Sequence, residues 1–126
     1  MILRFSVRSS VTQEKLDLVS KLENISKKYG ASFATDGDYP AWEYKAESKL
    51  REEIATAYQA VYGKEPEFTA IHAGLECGIL SEKIEDLDCV SFGPANYDIH
   101  TPQERLNIES TERVWNFLVE YLKQAR

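Results

Sequence analysis

The chain has 126 residues, with 15 Lys+Arg against 21 Asp+Glu and a formal charge of −6. That length suffices for one domain whose core needs no disulfide or metal staple, and 43% apolar with 29% charged residues excludes an intrinsically disordered chain. An acidic balance with no basic run longer than Lys27-Lys28 weighs against nucleic-acid binding, which depends on neutralising phosphates.

No apolar run approaches the roughly 18–20 residues that a membrane-spanning helix needs. The opening MILRFSVRSS lacks the charged, apolar and small regions of a signal peptide. Cys77 and Cys89 are too few for a disulfide framework, and neither has a partner at zinc-knuckle spacing. The expectation is a soluble, cytoplasmic protein with no membrane and no nucleic-acid partner.

Leu3, Phe5 and Val7 alternate with Arg4, Ser6 and Arg8, a period of two that predicts a half-buried strand with one apolar and one cationic face. Ser10 or Thr12 can cap the next helix, with Gln13 placed as in a capping box. Leu16, Val19, Leu22 and Ile25 form its inward stripe, and Gly30 supplies a left-handed end. Residues 31–35 read as a second strand. The turn formers from Asp36 to Trp42 then mark a boundary.

A second helix is expected from near Ser48, with Leu50, Ile54, Ala57, Tyr58 and Val61 on one face. Gly63 closes it and Pro66 forbids its continuation. Residues 67–72 read as a strand, and Gly74 to Gly78 as a tight turn leading into a helical turn. Asp88 to Phe92 read as a short buried strand, followed after Gly93-Pro94 by a loop through His100-Thr101-Pro102. The last helix is expected from Ser110 or Thr111, with Val114, Phe117, Leu118, Tyr121 and Leu122 on one face. The fold class is α/β, or α+β.

Two histidines, His72 and His100, are the obvious acid/base or metal-ligand candidates. His100 has the better context, because loops at strand ends carry ligand sites in α/β folds. No second His or Cys lies at ligand spacing from it, so any further metal donors are carboxylates or lie on other polypeptide. Glu76 is either a solvated or capping carboxylate or part of a site wall. Arg8 can bind a carboxylate in bidentate fashion. The two cysteines read as buried structural thiols, and Glu82 to Asp88 as a solvated acidic loop.

The run Ile71-His72-Ala73-Gly74-Leu75-Glu76-Cys77-Gly78 is followed by Val90-Ser91-Phe92-Gly93-Pro94 and by His100-Thr101-Pro102-Gln103-Glu104-Arg105-Leu106. That succession resembles the C-terminal part of the aminoacyl-histidine dipeptidases, or cytosol non-specific dipeptidases. Gly37-Asp38-Tyr39-Pro40-Ala41-Trp42 and Val7-Arg8-Ser9-Ser10 resemble the same family in the same order. The resemblance implies a zinc peptidase with a catalytic domain and an inserted lid, two zinc ions in the complete enzyme, and hydrolysis of Xaa-His and other dipeptides by zinc-bound hydroxide.

The likeness places residues 1–40 in the second half of the lid and residues 41–126 at the end of the catalytic domain. It implies that His100 is the last metal ligand, that the Gly74 backbone lines the substrate pocket, and that Arg8 holds the dipeptide's terminal carboxylate. The family's His-x-Asp motif, bridging aspartate and general-base glutamate have no match here, so the chain carries no catalytic residue of its own. The expectation is therefore a fragment, inactive alone, that holds zinc weakly and self-associates or dimerises through apolar surface. The alternative is a freestanding non-catalytic module for binding or dimerisation.

Overall fold

Helix-favouring periodicity and well-formed ends dominate the architecture. The computed structural model describes residues 1–73 and 76–125. In chain order come α1 (Thr12–Lys28), α2 (Lys49–Tyr62), α3 (Glu76–Lys83), β1 (Asn96–Tyr97), β2 (Arg105–Leu106) and α4 (Ile108–Gln124). The strands β1 and β2 pair antiparallel, Asn96 opposite Leu106 and Tyr97 opposite Arg105. This is the mixed α/β class expected. The chain forms two compact units, one of Met1–Glu47 with Thr69–Leu87 and one of Ser48–Phe68 with Asp88–Arg126.

In the first unit, α1 ends as Gly30 suggested. The Gly30 φ is 67°, its N–H donates to Lys27 O, and the Ala31 N–H donates to Ser26 O at 2.9 Å. These two bonds make a Schellman end, which only a residue tolerant of the left-handed region supplies cheaply. The start differs from the expected capping box. Ser10 turns its N–H to His72, and the Thr12 N–H donates instead to the Glu43 carboxylate at 2.8 Å.

The expected inward stripe of α1 is also corrected, because no residue of that helix is buried and both Leu16 and Ile25 are exposed. The helix is tethered by polar ties instead, among them Lys15 to Asp38 at 2.7 Å and to Tyr39 O at 2.6 Å. Helix α3 is longer than the single turn expected, spanning eight residues. Its Gly78 is buried against residues 40–41, where an added Cβ would lie 2.8 Å from Pro40 O. Only glycine permits that approach of helix to backbone.

In the second unit, α2 is capped from two directions. Ser48 Oγ accepts the Arg51 N–H at 3.0 Å. Asp88 accepts from Ser48 Oγ at 2.6 Å through one oxygen and from the Leu50 N–H at 2.9 Å through the other. Asp88 is thus part of a helix cap and not of a solvated loop, a role that its distance in sequence from α2 hides. Asp88→Ala is expected to cost about 1–3 kcal/mol, a cap plus an orphaned donor. Urea denaturation followed by helical circular dichroism measures it.

Helix α4 begins before Ser110, with Asn107 as its cap accepting the Ser110 N–H at 2.8 Å. The Ser110 hydroxyl is used inward, accepting the Ala95 N–H at 2.9 Å and donating to Asn107 O at 2.8 Å. The core forms where α2 meets α4, with Ile54, Ala57 and Phe117 buried and Leu50, Tyr58, Tyr62, Val90 and Tyr121 packed around them. Tyr62 also donates its hydroxyl to Arg113 O at 2.7 Å, and desolvation raises its pKa.

The four segments expected as strands, 2–8, 31–35, 67–72 and 88–92, form no ladder among the described residues. Alternation records which side chains are apolar, whereas a strand also needs a neighbour for its N–H and C=O groups. The ladder appears instead around residues 96–106, where a loop was expected.

Candidate functional site

His100 sits in the connection between β1 and β2, at a φ of 66°. A non-glycine residue pays about 1–3 kcal/mol for such a conformation and keeps it only when the surroundings impose it. Here they do. The Glu104 carboxylate accepts the His100 N–H at 2.8 Å through one oxygen and the Asn96 side-chain amide at 3.0 Å through the other. Those two bonds, that from His100 first, hold the Glu104 carboxyl below its ordinary pKa.

The rest of the loop is closed on itself. Asp98 O accepts the Thr101 N–H at 3.1 Å and the Thr101 hydroxyl at 2.7 Å. The Asp98 carboxylate is ion-paired with Arg105, whose guanidinium lies 5.2 Å from the centre of the Tyr97 ring. The exposed His100 therefore stands on a braced loop. Residue chemistry alone singles out neither Glu104 nor Asn96; Glu104 enters only as the end of the His-Thr-Pro-x-Glu stretch that carries the family resemblance.

The zinc implied by the family resemblance can be tested against these residues. Among the described residues, no three His, Cys, Asp or Glu side chains come together to hold a metal ion. Tight zinc binding needs about four donors, so the described residues do not by themselves fit a zinc site. His100 offers one donor.

Arg8 lies in the first unit, on an open groove of about 430 Å³ lined by Phe5 to Ser9 with Lys15, Asp36 and Tyr39 among others. Five consecutive residues lining one groove is not the two-faced presentation of a strand. Lys15 on that groove is paired with Asp38, and it holds the Asp38 carboxyl below its ordinary pKa through hydrogen bond and charge. Arg8 is the exposed cation of the same wall. Gly74 lies outside the described residues.

His72 Nδ1 accepts the Ser10 N–H at 3.0 Å, with Ser10 Oγ at 3.3 Å. Its lone pair is thereby engaged by backbone, which makes it a structural tie. Glu76 opens α3, where a carboxylate complements the helix dipole. Cys77 and Cys89 are half-buried thiols. No helix among the described residues is long and apolar enough to cross a membrane.

Comparison with known proteins gives the family of the chain. The chain is 36% identical over 118 residues to the cytosol non-specific dipeptidase of Escherichia coli K12, an alignment covering 94% of this chain and 24% of that protein. It superposes on the crystal structure of aminoacylhistidine dipeptidase from Vibrio alginolyticus with a TM-score of 0.75 at 31% identity, over 92% of this chain and 24% of the other. The chain thus spans about a quarter of the length of these relatives. The model of peptidase family M20/M25/M40 matches residues 9–124. The chain belongs to peptidase family M20/M25/M40.

Proposed function

We propose that the chain serves as the C-terminal portion of a cytoplasmic, zinc-dependent dipeptidase acting on Xaa-His and other dipeptides. In this reading His100 is one metal ligand, Arg8 holds the dipeptide's terminal carboxylate, and the Gly74 backbone lines the substrate pocket. Residues 1–40 correspond to the second half of the lid and 41–126 to the end of the catalytic domain, a division by family correspondence and not by spatial clustering. The other ligands and the catalytic residues belong to polypeptide that the 126 residues do not include, and the chain alone is inactive.

The observation that carries this reading is the family match across residues 9–124, a span that contains the braced His100 loop. A chimera tests it. Replacing the matching quarter of the Escherichia coli dipeptidase with this chain is expected to give an enzyme that hydrolyses a Xaa-His dipeptide. A folded chimera with no turnover would defeat the reading.

A second reading, a non-catalytic module for binding or dimerisation, is favoured by one surface. Ile108, Trp115 and Leu122 recur every seventh residue along α4 and are all exposed. Such a stripe is a contact surface in search of a cover. Under either reading the isolated chain self-associates through apolar surface.

A further inference from the structure

We propose that Glu104 is a positioning residue that sets how His100 is presented, acting on the His100 backbone and not on its imidazole. The inference rests on the reading of His100 as a functional residue.

The geometry assigns this role to one side chain. His100 holds a φ of 66°, and among the described residues Glu104 is the side chain hydrogen-bonded to its N–H, at 2.8 Å. The second Glu104 oxygen is anchored on the Asn96 amide at 3.0 Å. Asn96 is itself fixed by its place in β1, opposite Leu106. Glu104 therefore transfers the rigidity of the two-stranded ladder to a residue four positions back in the chain. The other half of the loop is held separately, by Asp98 with Thr101 and Arg105, and those contacts do not touch His100.

Both Glu104 oxygens are engaged by N–H donors, which suits support more than direct contact with a ligand. A loop residue preset in this way does not have to be ordered when it meets its partner, and that is how supporting groups make a site effective. Glu104→Gln is the conservative replacement, because its carbonyl keeps an acceptor for the His100 N–H at the same reach.

Amide hydrogen exchange of the ¹⁵N-labelled 126-residue chain tests the proposal. In Glu104→Ala the His100 amide is expected to exchange at least about 10-fold faster, as for loss of a charge-assisted bond, with signals of Phe117 and Tyr121 unmoved. Glu104→Gln, which keeps an acceptor but loses the charge, is expected to exchange faster than the parent and more slowly than Glu104→Ala. Should Glu104→Ala unfold the hairpin, Glu104→Asp gives the same reading, because it keeps the charge but is too short to reach both donors. In the chimera, Glu104→Ala is expected to lower kcat/KM by about 10–100-fold, as loss of ligand-supporting groups does, with rescue by Glu104→Gln.

An unchanged His100 amide in Glu104→Ala and Glu104→Asp would overturn the proposal. So would a Glu104→Gln variant as impaired as the alanine, or an active chimera that needs His100 but not Glu104. A chimera indifferent to His100→Ala would instead remove the functional reading and leave the exchange result standing.

Discussion

Phe117→Ala is expected to cost the second unit about 3–5 kcal/mol of stability. Phe117 is 3% exposed in a core that holds only Ile54 and Ala57 as further buried apolar residues among those described. Its ring meets Tyr58 edge-on at 5.5 Å, Phe92 edge-on at 5.3 Å and Tyr62 at 6.1 Å, and such pairs are worth about 0.5–1.5 kcal/mol beyond the area they bury. Truncation opens a cavity that helices α2 and α4 cannot close without dragging the Tyr62–Arg113 bond with them. Against a typical stability of about 5–15 kcal/mol, the cooperative urea transition shifts to far lower denaturant or disappears at 25 °C. A loss under about 1 kcal/mol would show that Phe117 does not organise this core.

His100→Ala in the dipeptidase chimera is expected to lower kcat/KM by more than about 100-fold. Losing a group that merely supports a metal ligand costs about 10–100-fold, so losing the ligand costs more. Stability is expected to stay nearly unchanged, since the exposed His100 imidazole makes no packing contact in the core. That separation of activity from stability distinguishes a ligand from a structural residue. Comparison of kcat/KM and urea midpoints for parent and variant chimeras measures both.

The parts of the fold legible in the sequence are those with local causes. Gly30 and Gly63 end their helices in the left-handed region, at φ of 67° each, and Ser48 caps α2, all because backbone groups within a few residues decide the matter. What was not legible depends on distant partners. The alternation at Leu3, Phe5 and Val7 could not say whether a neighbouring strand exists. The last helix is expected from Ser110 or Thr111, yet it starts at Ile108 with Asn107 as its cap, and the Ser110 hydroxyl accepts the Ala95 N–H. Asp88 reaches α2 from the far side of 38 residues.

The candidate site divides in the same way. His100 stood out from its chemistry and its loop. The bracing by Glu104 and Asn96 did not, because it depends on a β1–β2 ladder that no periodicity announced. Arg8 was read on the cationic face of a strand, whereas it stands on a groove wall together with the apolar Phe5 and Val7.

Under the proposed function this chain supplies one ligand to a dipeptidase centre that it does not complete. The most direct test is an assay of the purified 126-residue chain against an Xaa-His dipeptide with zinc added. The expected result is no turnover above the uncatalysed background, with or without the metal. Turnover that a chelator abolishes would contradict that proposal.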